Sequence, residues 1–558
     1  MTYVSPKFVA LLILDGWGIA SDGPGNAISQ ANIINMKRYW ASFPHTQLVA
    51  AGDSVGLPRG EAGNTETGHL NLGAGRTVYQ DLARINVSIA DGSFFSNKAL
   101  VESMSHVKKN NSNLHVMGLV GASGVHSNLD HLYALIQMAK LNKVDNLFLH
   151  LFTDGRDSPP TSSKTYVESI RKVIQREGVG FIASIMGRYW AMDRDRRWDR
   201  TEKAYMALTQ GKGQLVKTPE EAIDHSYSMG KTDEFIEPSL VAKAADRQAS
   251  LIEPLALIKP NDSVIFFNFR IDRPRQLTAA FVANDFSDQS MVLDFDPYLE
   301  KYEKTHLFSK VSHYQKVFER KEKLDNLFFV TMTEYSKSLI KEGAHIAFEP
   351  ETVAIPLGKV ISDANLRQLR VSESEKERFV TYYFNGLRES PFPGEDKIII
   401  PSPNVPTYDL KPEMSANELT EIVLNQIRSG PVQSFILINL ANPDMVAHSG
   451  NIGSAVKACE TVDVCVGKIA TAVLSKNGVL LVTGDHGNVE EMINNTTGNI
   501  DTEHNANPVP FIAIGNQYLG KSNTLLSGIL ADVAPTVLNL LNIPVPSAMT
   551  GRNLLEGL

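Results

Sequence analysis

The sequence predicts an α/β protein built on parallel sheet, with one domain inserted into another. Three observations predict it. Short apolar runs recur along the chain, and each ends in a polar residue and a turn. Amphipathic stretches at helical spacing lie between the runs. The polar run-ends also divide by chemistry. Those near 15, 65, 444, 485 and 504 carry Asp, His and Thr, whereas the middle of the chain, roughly 120–276, carries Arg.

Taken in order, the first run is "FVALLILDG", ending at Asp15. It is too short to span a bilayer, and no small-residue cleavage site follows, so it reads as a buried strand. "LHVMGLVGASGVHS" leads to His126, "NLFLHLFTDGRD" to Asp154 and Arg156, and "GFIASIMGRY" to Arg188. "SVIFFNFR" leads to Asn268 and Arg270, "SFILINLANPD" to Asp444, and "GVLLVTGDHGN" to Asp485 and His486. Unbroken apolar runs of this length are strands buried on both faces, as in parallel sheets. "SSKTYVESIRKVIQREG" is an amphipathic helix closed by Gly178. In open parallel sheets, ligands bind outside the carboxyl ends of the strands, where these polar residues fall.

Length and composition set limits. A chain of 558 residues exceeds one ordinary domain. It is 43% hydrophobic and 21% charged, with a net charge of −8, so no global basic field draws it to nucleic acid or anionic membrane. Its two cysteines, Cys459 and Cys465, are too few for a disulfide framework and fit a reducing compartment. A cytoplasmic protein is expected. The charged stretch 293–326 has a helical pattern and mixes acids with bases, so it reads as a solvated surface.

The chain ends carry a metal-type set. Asp444 and His448, four apart, would share one helix face. That spacing alone recurs by chance. Adjacent Asp485 and His486, with Asp15 and His504, make it a constellation. Mixed carboxylate and imidazole donors suit one or two borderline-hard divalent ions such as Mn²⁺ or Zn²⁺, not a thiolate zinc site. Two such ions can activate a nucleophile and steady phosphoryl oxygens. A nearby Ser or Thr hydroxyl would be that nucleophile, and "GNTETGH" offers Thr65 and Thr67. As a helix start, the same stretch would use Asn64 or Thr65 as its cap.

The middle carries an anion clamp. "RYWAMDRDRRWDR" interleaves arginines with aromatics, but Asp193, Asp195 and Asp199 interrupt the charge. This favours a small polyanion over nucleic acid, with some arginines held by the aspartates. "NFRIDRPR" adds Arg270, Arg273 and Arg275, and "TDGRDSPP" adds Arg156 beside Asp157. Guanidinium forks match carboxylate and phosphate bidentately. Arg196 and Arg275 read equally well as surface ion pairs.

These motifs resemble a family. "LDGWG", "GNTETGHLNLGAGRTVYQD", "GASGVHS", "TDGRDSPP", "GRYWAMDRDRRWDR", "FFNFRIDR", "VSESEKERFVTYYFNG", "NLANPDMVAHSG" and "TGDHGN" run in the order found in cofactor-independent phosphoglycerate mutases of the alkaline phosphatase superfamily. The likeness covers nearly the whole chain. It implies an alkaline-phosphatase-like α/β/α domain from 1–79 and 350–558, with a second α/β domain inserted at 80–349. It implies interconversion of 3-phosphoglycerate and 2-phosphoglycerate, without 2,3-bisphosphoglycerate, through a phosphoenzyme at two divalent ions, with Mn²⁺ expected. Asp444, His448 and His504 would bind one ion. Asp15, Asp485, His486 and the nucleophile would bind the other. His126, Arg156, Asp157, Arg188, Arg194, Arg270 and Arg273 would hold substrate, with Asp157 shuttling protons. Lys376 would contact the phosphate. Two domains closing over the site would exclude water, and a monomer is expected, with no nucleic-acid or membrane partner.

The chain departs from the family pattern Gly-Asn-Ser-Glu-Val-Gly-His. Thr65 stands at the serine and Thr67 at the valine, which makes Thr65 the expected nucleophile. Ala447 and Gly484 replace a common Gly and Ala, and the segment 284–323 is longer than usual. Rival readings are a sister mutase or metallophosphatase, which would lack the arginine motifs, and a dead anion-binding scaffold, which would lack ligands. A nucleic-acid binder would show salt-dependent binding.

Overall fold

The structure is a computed structural model. It describes residues 6–243, 253–287, 316–320, 322–430, 433–494, 496–521 and 525–558. Most of the charged stretch 293–326, and of the long segment 284–323, lies outside the described residues.

The chain forms two compact units, one from Met1–Ala83 with Glu351–Leu558, the other from Arg84–Pro350. Each is built on an eight-stranded sheet. Strands β1 (Val9–Leu14) and β2 (His45–Val49) come first. The second unit supplies β3 (Leu114–Val120), β4 (Leu147–Thr153), β5 (Phe181–Gly187), β6 (Gln214–Val216), β7 (Ser239–Val241), β8 (Ser263–Phe266), β9 (Phe328–Thr333) and β10 (Ala344–Phe348). The first unit resumes with β11 (Gln368–Glu373), β12 (Glu395–Ile400), β13 (Phe435–Leu440), β14 (Val479–Thr483), β15 (Val509–Gly515) and β16 (Gly528–Ile529).

All seven apolar runs are strands, and five end within two residues of the polar group expected, β3 and β13 stopping further short of His126 and Asp444. The first sheet runs β12-β11-β13-β1-β14-β15-β2-β16. Its five strands from β12 to β14 are parallel, while β15 is antiparallel to both β14 and β2. Strand β1 is central: Val9 pairs with Phe435 on one side and Val479 on the other. Every residue from Val9 to Leu14 is fully buried, which is why the run shows no polar alternation. The second sheet runs β10-β9-β8-β3-β4-β5-β7-β6, and only β7 against β5 is antiparallel. Helix Ser163–Glu177 covers the amphipathic stretch, and Gly178 closes it in the left-handed region at φ 74°.

Each sheet therefore presents the carboxyl ends of its parallel strands, and the loops leaving them, as one edge. Asp15 follows β1, Asp444 follows β13 and Asp485 follows β14. Asp154 follows β4 and Arg188 follows β5. Cys459 and Cys465 lie buried and unbonded on helix Ile452–Ser475.

Candidate active site

In the first unit, Asn64 caps helix Thr65–Ala74, its Oδ1 accepting from the Thr67 amide at 2.9 Å. Thr67 turns its own hydroxyl back to Asn64, 3.2 Å from the carbonyl, so that hydroxyl is used in the cap. Thr65 is the first helical residue, 4% exposed. Its Oγ1 lies 2.9 Å from His486 Nε2 and accepts from Lys376 Nζ at 3.2 Å. The two threonines are thus told apart by what they touch. The helix can sit this close because residue 68 is glycine: a Cβ there would lie 2.6 Å from the Asp485 carbonyl oxygen.

Around Thr65 stand three buried carboxylates. Lys376 Nζ donates to Asp15 Oδ1 at 2.6 Å and to Asp444 Oδ2 at 2.8 Å. Burial works against that ammonium, but Asp15, Asp444 and Asp485 hold its pKa well above the usual lysine value. Asp444 and Asp485 are held well below the carboxylate range despite their burial, Asp444 chiefly by Lys376 and Asp485 chiefly by His486. Burial likewise opposes charge on His486, yet Asp485 beside it raises the imidazole to about 10.

The imidazoles are oriented as ligands are. His448 Nδ1 faces the Thr502 carbonyl at 2.8 Å, His504 Nδ1 faces that of Gly63 at 3.2 Å, and His486 Nδ1 faces that of Gly487 at 3.3 Å. A carbonyl only accepts, so each Nδ1 carries the hydrogen and each Nε2 is left to point inward. His448 Nε2 and His504 Nε2 lie 3.2 Å apart, at 3.3 and 3.2 Å from Asp444 Oδ1. Lone pairs converging on a carboxylate repel unless a proton or a metal cation lies among them. Asp485 Oδ2, fully buried, accepts no hydrogen bond of good geometry. Asp444, His486 and His504 form one potential ligand group, and Asp15, His69 and Asp485 another. The residues present fit divalent cations.

Several residues here escape sequence reasoning. Asn488 Nδ2 donates to Asp444 Oδ1 at 2.8 Å, and Asn439 Nδ2 to Asp15 Oδ2 at 2.7 Å. The buried Glu490 Oε2 accepts from the amides of Gly18 and Asn488 at 2.9 and 3.0 Å, and Oε1 accepts from Asn507 Nδ2 at 3.1 Å. One carboxylate thereby joins the loops that carry Asp15, His486 and His504. The signal for Asn439 was a single amide inside the apolar run "FILINL"; Asn488 and Glu490 gave only their place just after "GDHG".

The second unit gathers the arginines. Arg188, 2% exposed, donates through one nitrogen to Asp154 at 2.6 Å and to Asp157, and through the other to His126 Nε2 at 2.9 Å. Burial and the Arg188 charge keep His126 neutral, its pKa lowered to about 3. Arg194 donates to Asp272 Oδ2 at 2.7 Å and Arg270 to Asp272 Oδ1 at 3.0 Å. Arg273 donates to the Met192 carbonyl at 3.2 Å, and burial with Arg188 and Arg194 nearby lowers it to about 10. Arg156 is half-exposed, 3.8 Å from Glu234. His126, Asp157 and Arg188 are thus linked, and Asp272 is the missed carboxylate that pins Arg194 and Arg270, while Arg273 bonds to the Met192 backbone. Some arginines of 188–200 were expected to be held by Asp193, Asp195 or Asp199: Arg200 lies 3.4 Å from Asp193, whereas Arg194 is held by Asp272 instead. Arg275 differs from its surface reading. It is 4% exposed and donates to the Tyr335 carbonyl at 2.5 Å, because it opens helix Arg275–Val282 facing inward.

A hydroxyl at a helix start, amid carboxylates and inward-facing imidazoles at a parallel-sheet edge, is an arrangement suited to metal-dependent phosphoryl transfer. Residues 85–337 match the family model described as the BPG-independent PGAM N-terminus. The chain is 47% identical over 545 residues to the 2,3-bisphosphoglycerate-independent phosphoglycerate mutase of Moorella thermoacetica, covering 98% of each chain. It is 47% identical over 552 residues to that of Clostridium beijerinckii, covering 99% of each. A solved phosphoglycerate mutase from Leishmania mexicana, titled as at low cobalt concentration, is 27% identical with TM-score 0.57, over 99% of this chain and 98% of that one. The chain belongs to the 2,3-bisphosphoglycerate-independent phosphoglycerate mutase family.

Among the described residues, no helix is long and apolar enough to cross a membrane.

Proposed function

We propose that this chain interconverts 3-phosphoglycerate and 2-phosphoglycerate through a phosphothreonine at Thr65, using two divalent ions, Mn²⁺ first among them. The observation that carries this is the placement of the Thr65 hydroxyl against His486 and Lys376, within the cluster of Asp15, Asp444 and Asp485. Asp444, His448 and His504 would hold one ion; Asp15, Asp485, His486 and Thr65 the other. Bound there, the ions would lower the hydroxyl's pKa and neutralise charge on the phosphoryl oxygens.

The chain's own residues do the rest. Thr65 Oγ1 attacks phosphorus in line, and the bond to the glycerate oxygen breaks. Lys376 supplies a fixed positive charge to the transferring group. Asp157 gives a proton to the departing glycerate oxygen and takes one from the other hydroxyl before the return transfer. His126, Arg156, Arg188, Arg194, Arg270 and Arg273 hold the carboxylate and phosphate of the substrate. The helix start beneath Thr65 favours the negative phosphothreonine. Residues 80–349 as a substrate-holding domain within a metal-holding one, and action as a cytoplasmic monomer, belong to the same proposal.

The test uses chelated enzyme given Mn²⁺ and 3-phosphoglycerate, with no 2,3-bisphosphoglycerate. Appearance of 2-phosphoglycerate, with phosphate mapped to Thr65, is expected. No product with any divalent metal, or phosphate on Thr67, overturns it.

A further inference from the structure

His69 is the fourth imidazole at the metal-type cluster, and it is built differently from the other three. It lies fully buried one turn after Thr65 on the same helix. Its Nδ1 is 3.0 Å from the Thr65 carbonyl oxygen and 3.2 Å from Asp485 Oδ2. Both of those atoms only accept, so Nδ1 carries the hydrogen. Its Nε2 is 3.0 Å from Asn439 Nδ2. That amide nitrogen also donates to Asp15 Oδ2 at 2.7 Å, which fixes the amide's orientation, because an amide oxygen there would face a carboxylate. The two hydrogens of Asn439 Nδ2 therefore serve Asp15 and His69. The inward nitrogen of His69, unlike those of His448 and His504, is already taken by an amide donor.

We infer that His69 is a positioning residue, not a metal ligand: through the chain Asp15–Asn439–His69 it fixes the Thr65 turn beside the Asp485 carboxylate. Its Nδ1–H holds the backbone of the nucleophile and stands beside the Asp485 oxygen, while its Nε2 is locked by the amide that holds Asp15. The Asp15 carboxylate and the nucleophile's own peptide thus share one imidazole and one amide. Phe379 packs against the ring at 5.9 Å and limits its rotation. The inference rests on the proposed metal reading and adds residues that reading does not use.

The test exploits the geometry of substitution. His69→Asn keeps a donor near the Nδ1 position, whereas His69→Leu keeps none. Mn²⁺ binding to the full chain is measured by calorimetry, alongside kcat and KM for 3-phosphoglycerate. His69→Leu is expected to weaken Mn²⁺ binding and lower kcat by about 10–100-fold, the usual effect of removing a ligand's hydrogen-bond partner, with KM little changed. His69→Asn is expected to recover most of both. Asn439→Ala combined with His69→Leu should lose less than the product of the two single effects, since both break one chain. Should His69→Leu not fold, His69→Gln, whose amide reaches the Nε2 position instead, takes its place. Wild type binding two ions with His69→Leu unchanged overturns the inference alone. His69→Asn as poor as His69→Leu also overturns it. Wild type binding no Mn²⁺ removes the metal reading and this inference together.

Discussion

Both polar clusters stand at the carboxyl ends of parallel strands, yet their charge balance is opposite. In the first unit, Asp15, Asp444 and Asp485 surround one ammonium, that of Lys376. In the second, Arg188, Arg194, Arg270 and Arg273 outnumber the nearby carboxylates Asp154, Asp157 and Asp272. The first has the charge to attract cations and the second to attract an anion. The same backbone edge serves both because a parallel sheet fixes only where side chains gather, not their sign.

The comparison breaks most sharply at the nucleophile. Thr65→Ala is expected to lower kcat by about 10⁴-fold or more and to abolish the phosphoenzyme, while Thr65→Ser keeps turnover. Rapid-quench phosphopeptide analysis checks both.

Next comes the lone ammonium. Lys376→Met leaves the carboxylates unbalanced, and stability without metal is expected to fall by about 3–5 kcal/mol, as when one partner of a buried pair is removed. Added Mn²⁺ should return part of it. Thermal unfolding with and without the ion decides, and an equal loss in both would end the claim that this cluster attracts cations.

In the second unit, Arg188→Lys keeps charge but loses the fork that joins Asp154, Asp157 and His126. A loss of about 2 kcal/mol in kcat/KM is expected, with Mn²⁺ binding unmoved. A change in Mn²⁺ affinity would mean the clusters are not separable.

A smaller effect follows from pH. Burial holds both His126 and His131 to about 3 in the folded chain, against 6.5 ordinarily. The unfolded chain therefore binds protons that the folded chain refuses. Stability should fall as pH drops from about 6.5 toward 3, at up to about 1.4 kcal/mol per pH unit for each histidine. Urea titrations of wild type and His126→Asn across that range should differ in slope.

Thr67→Val is expected to do least. It removes the hydroxyl bond to Asn64, costs at most about 1 kcal/mol, and leaves kcat within about twofold. A larger fall in kcat would reopen the choice between the two threonines.

The parallel strands were legible because burial on both faces writes them as unbroken apolar runs. The short strands β2, β6, β7 and β16, at or next to one edge of their sheets, left no such mark. Charged and imidazole residues at strand ends were legible because they interrupt apolar context. Partners that act through an amide were not: Asn439 meets Asp15 across 424 positions, and nothing local to "FILINL" indicates it. Arg275 misled for a related reason. It read equally well as a surface ion pair, and only the packing of helix Arg275–Val282 turns it inward.

The placement of β1 has a consequence for synthesis. Its neighbours, β13 and β14, begin at Phe435 and Val479. At about 5–20 residues per second, the ribosome delivers Phe435 roughly 20–85 s after Val9. The second unit, contiguous from Arg84 to Pro350, is complete only about 4–17 s before then. For that interval an apolar strand with both hydrogen-bonding edges open waits on the nascent chain. Its protection from aggregation must come from chaperones or from speed, because no native partner yet exists.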